Sequence, residues 1–358
     1  MKILLLTRTL ARTGGMIIVS SLVRQLSKRG FDITFVAFKP QGTPEIPDDA
    51  KDLYKDLKVT VIEIPRKENA DTQIKEYIGA AAKYLREHHG EYDKIILDSW
   101  YIMMAGAIAQ VIAAPKVFHL VQRDPVFEPE NDSKIWTAFS LELAGLFKMQ
   151  RIVVGRSLAE IFKRRYGVEH RVLDIYVDEE YRKGEFTVRD RKPIKFLASA
   201  ANFNQPWKGL DFLLESLENF SEHQFELTLV TSNPVERDLS TLSFPTTVEK
   251  AQTPLEMRQL LLEHDVYICT STSESFCLAL AEAVTLGMPA MALNSIGNRD
   301  YANSDNFYFV KTKEDFLSQL SKICNLDNRK KLHAVARDSM AKYTIDTMTK
   351  QFLEALHL

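Results

Sequence analysis

Short β-branched runs alternate with amphipathic stretches from the first residues onward. Residues 2–6, 32–38, 59–64, 95–97, 117–121 and 152–154 are dense in Ile, Leu, Val and Phe and predict strands. Between the first two, Val19, Leu22, Val23 and Leu26 recur at i, i+3, i+4 and i+7, and Gly30 follows Lys28 and Arg29 as a C-terminal stop. A strand, a helix and another strand in this order require a crossover, so the predicted sheet is parallel.

The alternation breaks at residues 178–193, which hold ten charged side chains and almost no periodic apolar signal. This stretch predicts a solvated linker, with the first domain ending at about residue 187. It then resumes with strands predicted at 194–198, 225–230, 266–269, 289–293 and 307–310, and a helix whose Leu210, Leu213, Leu214 and Leu217 share one face. Two parallel α/β domains in series are expected, each binding ligands beyond the carboxyl ends of its strands.

Length and composition agree with this picture. A chain of 358 residues, 45% hydrophobic and 26% charged, is long enough for two cores and too apolar for general disorder. Residues 1–185 carry 28 basic and 26 acidic side chains, and residues 186–358 carry 18 and 22. Neither half is a polycation, which argues against nucleic acid as a partner. The cluster Lys163-Arg164-Arg165 could touch anionic lipid, although a solvated helix face is the simpler explanation.

Three scattered cysteines give no disulfide framework or thiolate zinc site and fit a reducing compartment. The apolar run 101–114 falls short of the roughly 20 residues a membrane-spanning helix needs, and the first residues run straight into a strand. A cytoplasmic protein is therefore expected.

Three turns carry candidate chemistry. Gly14 and Gly15 follow the first strand, where a missing Cβ lets backbone amides approach a ligand. Lys208 precedes Gly209 and a helix in the second domain, a place from which it can neutralise a diphosphate. Beyond the strand at 266–269, Glu274 and Glu282 bracket Ser275 to Ala281 as a loop becomes a helix. That context offers amides to an anion, a place suited to a sugar phosphate.

Other chemistries lack their patterns. The adjacent glycines do not form the Gly-x-Gly-x-x-Gly of a nicotinamide-dependent dehydrogenase, and Lys208 lacks Walker-loop spacing. Gly155-Arg-Ser-Leu-Ala lacks the closing glycine of a nucleophile elbow. No Asp-x-Asp pair and no zinc-binding spacing is present, so no metal site and no cofactor is expected.

Taken together, Gly14-Gly15, Lys208-Gly209 with Leu213-Leu214, Thr270-Ser271 with Glu274 and Glu282, and Gly287-Met-Pro-Ala resemble the retaining glycosyltransferases of family GT4, which have the GT-B fold. The resemblance runs over essentially the whole chain. It implies two Rossmann-like α/β domains facing a cleft, 1–187 with 343–358 on the acceptor side and 188–342 holding a nucleotide sugar. The final segment would form a helix returning to the first domain.

The resemblance also implies roles. Glu274 would accept bonds from donor-sugar hydroxyls and Glu282 from the ribose, while amides around Phe276, Cys277 and Leu278 would cap the phosphate. Lys208 would steady the leaving diphosphate, and His119 would line the sugar pocket. Asn202 stands where the family carries an arginine beside that lysine, and Ser275 and Cys277 replace glycines. Thr231-Ser-Asn replaces a glycine-rich turn, and Gln122, Arg123 and Asp124 match an acceptor-side segment of bacterial surface-polysaccharide enzymes.

The implied reaction is metal-independent transfer, with retention, from a nucleoside-diphosphate sugar to a glycan or lipid-linked acceptor, with peripheral contact at the inner face of the plasma membrane. The missing arginine leaves a second reading open, a catalytically weak GT-B subunit that binds glycan or a partner transferase.

Overall fold

The computed structural model describes residues 1–112, 114–122, 150–167, 169–251, 253–302 and 305–358. Two compact units divide it, one comprising residues 1–175 with 345–358 and the other residues 176–344.

In the first unit, seven parallel strands form one sheet: β1 Lys2–Thr7, β2 Asp32–Pro40, β3 Val59–Ile64, β4 Lys94–Asp98, β5 Val117–Val121, β6 Gln150–Val154 and β7 Arg171–Leu173. Their spatial order is β3-β2-β1-β4-β5-β6-β7. The chain therefore reverses direction across the sheet beside β1, where β1 pairs β2 on one side and β4 on the other. Helix α1, Gly14–Lys28, buries the predicted stripe of Val19, Leu22, Val23 and Leu26. Phosphate-binding Rossmann folds use the same crevice beyond the carboxyl ends of the strands.

Helix α2, Arg156–Tyr166, bears the basic cluster. Lys163 pairs with Glu169, and Arg164 reaches Glu160 at 3.5 Å, so local acids offset much of its charge.

Six parallel strands form the second unit's sheet: β8 Ile194–Ser199, β9 Phe225–Val230, β10 Thr246–Glu249, β11 Val266–Cys269, β12 Ala290–Leu293 and β13 Tyr308–Val310. They lie in the order β10-β9-β8-β11-β12-β13. Helix α3, Leu210–Glu218, buries all four leucines of its predicted face. The same unit contains helices α4 Pro254–Glu263, α5 Leu278–Leu286 and α6 Leu326–Ser339.

The predicted linker requires correction. Residues 178–187 do not belong to the first unit, whose main segment ends at Ile175, and they are not a free connector. Glu179–Arg182 forms one 3-10 turn in which Tyr181 is buried, and Phe186 is buried just after it. Glu179, Lys183 and Glu185 stay exposed, but other charges and carbonyls of the stretch are bonded within the unit. Arg258 on α4 donates to Glu180 at 3.0 Å, Arg337 on α6 donates to the carbonyls of Arg182 and Gly184, and Arg182 donates to those of Met340 and Tyr343.

The C-terminal helix α7, Ile345–Ala355, completes the first unit. Met348, Phe352 and Leu356 are fully buried there, and Gln351 exchanges hydrogen bonds with Asp174 at 2.8 and 3.1 Å. Among the described residues, no helix is long and apolar enough to cross a membrane.

Candidate active site

The second unit gathers most of the candidate residues where β8 and β11 end. The loop after β8 turns through Pro206–Lys208 and reaches Gly209 at φ +70°, a left-handed conformation that glycine adopts without strain. A Cβ on Gly209 would collide with the Thr270 carbonyl oxygen, so the two loops touch backbone to backbone. Three hydrogen bonds fasten them: Thr272 N to Trp207 O at 2.8 Å, Thr270 Oγ1 to Lys208 O at 3.0 Å and Thr272 Oγ1 to Trp207 O at 3.3 Å.

This fastening sets the charged pair. Lys208 Nζ lies 2.6 Å from Glu274 Oε1, and Ser271 Oγ donates to the same oxygen at 2.7 Å. Burial alone would lower the lysine pKa, but the Glu274 carboxylate outweighs it and the net shift is upward. Lys208 is therefore a firmly charged cation.

Helix α5 begins directly after Cys277, which itself adopts φ +59° and gives no side-chain cap to the helix. The amides opening this helix have no side-chain acceptor at its N-cap, a configuration suited to an anion. The preceding loop is held by a second close approach. Gly297 N donates to Glu274 O at 2.8 Å, and a Cβ on Gly297 would overlap the backbone of Ser275 and Phe276. Tyr301 then donates to Cys277 O at 3.0 Å, and the Phe276 ring packs 5.2 Å from that of Tyr301 and 5.6 Å from that of Tyr343. Nothing in the residue spacing singled out Gly297 or Tyr301, because both lie beyond the next strand.

The thiols of Cys269 and Cys277 lie 3.4 Å apart, both buried and free. Their mutual hydrogen bond, then burial, raises the Cys277 pKa well above normal, so it packs as a neutral side chain.

Glu282 sits in the second turn of α5 against Tyr181. Burial raises its pKa to about 8, the Tyr181 hydroxyl opposes that shift by hydrogen bonding, and the charge of Asp178 adds to it.

Asn202 does not replace the arginine. Its Oδ1 accepts from Asn204 N at 3.0 Å, closing a local turn. Thr231 and Asn233 likewise turn inward, bonding to Ala201 O at 3.2 and 2.8 Å. A cavity of about 500 Å³ lined by Phe203, Asn204, Gln205, Arg237 and Lys313, among others, includes none of Lys208, Glu274 and Glu282.

Gly14, Gly15 and His119 belong to the first unit. The two glycines are not a free turn: they open α1, capped by Thr13, whose side chain accepts from Met16 N at 3.2 Å. Gly14 faces open space, whereas a Cβ on Gly15 would meet Gln122 Oε1 at 2.5 Å. Gln122 in turn donates to Asp98 at 2.7 Å, and Thr7 donates to Asp98 at 2.8 Å. Asp98, at the end of β4, thus anchors a polar cluster that the motifs did not reveal.

His119 lies inside β5 rather than at its end, in register with Leu97 and Arg151. Burial and then the Arg151 charge lower its pKa to about 3, so it is neutral at physiological pH. Arg123 and Asp124 lie outside the described residues. Among the described residues, no group of three His, Cys, Asp or Glu side chains is arranged to hold a metal.

Residues 194–325 match the family model described as Glycosyl transferases group 1. The chain carries a group 1 glycosyltransferase domain. The match spans β8 to the end of β13 and beyond, and so contains Lys208, Glu274, Glu282 and Gly297. A curated relative, the GtfA subunit of UDP-N-acetylglucosamine–peptide N-acetylglucosaminyltransferase from Streptococcus pneumoniae, is 27% identical over 117 residues, which span 28% of this chain and 23% of that protein.

Solved structures extend the likeness to both units. The Anabaena protein HepE, in complex with UDP-glucose, is 16% identical, covers 99% of each chain and superposes with a TM-score of 0.75. Sucrose-phosphate synthase from Thermosynechococcus elongatus is 14% identical, covers 99% of this chain and 98% of its own, and has a TM-score of 0.78. The lipopolysaccharide outer core galactosyltransferase WaaB is 15% identical, covers 100% and 99%, and has a TM-score of 0.69. At these identities the likeness shows the fold, which is GT-B, with the group 1 domain as its second unit.

The close approaches predict opposite outcomes at two glycines. Gly297→Ala forces the 275–276 backbone to move and is expected to destabilise the group 1 domain by about 1–3 kcal/mol in urea unfolding. Gly14→Ala, facing open space in a helix, is expected to leave stability unchanged or raise it by up to about 1 kcal/mol; equal losses at both positions would refute the packing argument.

Glu282 makes stability depend on pH. It ionises near 4.5 when unfolded and near 8 when folded, so the folded state holds an extra proton between those values. Its contribution to stability is fully present below about 4.5 and is lost as pH rises towards 8. Glu282→Gln is expected to flatten this decline, gaining roughly 3–4 kcal/mol relative to wild type between pH 5 and pH 8. A parallel pH–stability curve for both proteins would contradict the assignment.

Proposed function

We propose that the protein transfers a sugar from a nucleoside diphosphate to a hydroxyl of a glycan or lipid-linked acceptor, retaining the anomeric configuration and needing no metal ion. The observation that carries this reading is the Lys208–Glu274 pair, held at 2.6 Å beside the uncapped start of α5. A diphosphate needs fixed positive charge and amide donors, and a sugar needs acceptor-only carboxylates. Both sets occur on adjoining loops of one sheet edge.

The chemistry assigned to these groups is simple. As the bond from the sugar's anomeric carbon to the diphosphate oxygen breaks, negative charge grows on the leaving phosphate. Lys208 and the amides of 276–278 stabilise that charge, and because they are already oriented, little reorganisation is needed. The acceptor oxygen bonds to the anomeric carbon from the same face, and its proton passes to the departing phosphate oxygen. Glu274 holds the sugar hydroxyls and Glu282 the ribose diol. His119, in the first unit, is buried and neutral inside β5, so it brings no positive charge to the reaction.

UDP-hexoses are the first donors to try, because HepE is described with UDP-glucose and the GtfA enzyme by UDP-N-acetylglucosamine. WaaB is described as acting in the lipopolysaccharide outer core. That kinship supports a role in bacterial surface polysaccharide synthesis, in the cytoplasm and at the inner face of the membrane where a lipid-linked acceptor is presented.

A second reading has one observation behind it. Asn202, where the resemblance expects an arginine to accompany Lys208, folds onto its own loop, so a weakly active subunit that binds glycan or a partner transferase is also proposed.

The test joins binding to turnover. Wild type is expected to melt higher with UDP, GDP, ADP or dTDP and to release the nucleotide from the matching sugar donor. Lys208→Ala is expected to slow release roughly 10²–10³-fold, as loss of one preorganised donor does elsewhere. Binding without measurable release selects the subunit reading. No shift with any nucleotide, or unchanged release by Lys208→Ala, overturns the transferase.

A further inference from the structure

Glu282 lies inside α5, past the loop that carries Glu274. It is met from another direction by residues 176–184, the charged stretch that reads as a linker. Everything about that stretch fixes one aromatic hydroxyl in place. Asp178 Oδ1 accepts from Glu180 N at 2.8 Å and starts the 3-10 turn. Val177 N donates to Tyr343 O at 2.9 Å, Arg258 on α4 holds Glu180 at 3.0 Å, and Arg337 on α6 holds the carbonyls of Arg182 and Gly184 at 2.5 and 3.1 Å.

Anchored on these sides, Tyr181 is 2% exposed, far less than the turn's charged neighbours. Its hydroxyl hydrogen-bonds the Glu282 carboxyl.

We propose that Tyr181 is a positioning residue for the nucleotide's ribose: its clamped hydroxyl fixes the Glu282 carboxylate in the orientation that accepts the 2′ and 3′ hydroxyls. The inference rests on the donor reading above and adds a residue from outside the matched domain, which begins at residue 194. A carboxylate has four lone-pair directions, and bidentate acceptance from a diol requires its plane to be set in advance. One donor from a rigid turn does this, leaving acceptor capacity for the ligand.

The charges around Glu282 make the effect readable by pH. Asp178 lies close enough to act on Glu282 through its charge, and Tyr267 on β11 feels Glu282. On α6, His333 bonds to Gly287 O and Arg337 to the 182–184 carbonyls, so their polar groups are committed elsewhere. Burial also keeps Tyr181 protonated, so it remains a donor throughout the working range. With burial holding Glu282 neutral up to about pH 8, diol binding strengthens as pH rises through that value. Loss of the tyrosine bond moves the step higher, and loss of the Asp178 charge moves it lower.

Calorimetric titration with the nucleoside diphosphate that wild type binds, UDP or GDP, and with its 2′,3′-dideoxy form tests this. Wild type is expected to prefer the ribose form by roughly tenfold or more, as a hydrogen bond to a charged group implies. Tyr181→Phe is expected to narrow that preference several-fold, leave affinity for the dideoxy form unchanged, and move the pH step upward. Asp178→Asn, which keeps the oxygen that caps the turn, is expected to move the step downward, and it decides the matter if Tyr181→Phe fails to fold. Wild-type preference and pH profile in both variants overturn the inference alone. No nucleotide binding by wild type overturns the donor reading, and this inference with it.

Discussion

Backbone pressed against backbone is the constraint on which the second unit's site depends. Gly209 against Thr270 and Gly297 against Ser275 and Phe276 are places where a side chain does not fit. Three loops, from the ends of β8, β11 and β12, are thereby fused into one layer. The carbonyls of Trp207 and Lys208 are consumed by Thr272 and Thr270, and the carbonyl of Glu274 by Gly297. What the layer leaves outward is the lysine, the first glutamate and the amides that open α5.

Charge balance depends on that layer. Glu274 neutralises Lys208, so any anion that reached the lysine would have to compete for it or share it with the carboxylate. This exchange keeps a strong cation in a partly buried loop without leaving it unpaired. Glu282 solves a different problem. Among the described residues no cation pairs with it; burial favours its protonated form, and Tyr181 bonds to it from a segment outside the matched domain.

Much of the fold was legible because parallel strands buried on both faces leave continuous apolar runs, and helices on a sheet leave 3.6-residue stripes. The strands β7 and β10 escaped notice because they are three and four residues long and include charged or threonine-rich positions. The 178–187 stretch misled for a physical reason: charge density predicts solvation only when the charges lack partners, and here Glu180 pairs with Arg258 and Lys183 while Arg182 donates to the Met340 and Tyr343 carbonyls. Lys208 and Glu274, which the structure pairs, were singled out by their place after strands, whereas Glu282 lies against Tyr181. Gly297 and Tyr181 were not singled out, since a lone glycine and a lone tyrosine acquire meaning only through what the fold places against them. Asn202 was legible as a departure, but its closure of a local turn was visible only in three dimensions.

The central claim is that this layer of loops grips a diphosphate through Lys208 and the amides of 276–278. A crystal structure with a bound nucleoside diphosphate tests it most directly. Phosphate oxygens are expected within about 3 Å of Lys208 Nζ and of the Cys277 and Leu278 amides, as charge-assisted hydrogen bonds require. A diphosphate bound elsewhere, with the start of α5 left to water, would contradict it.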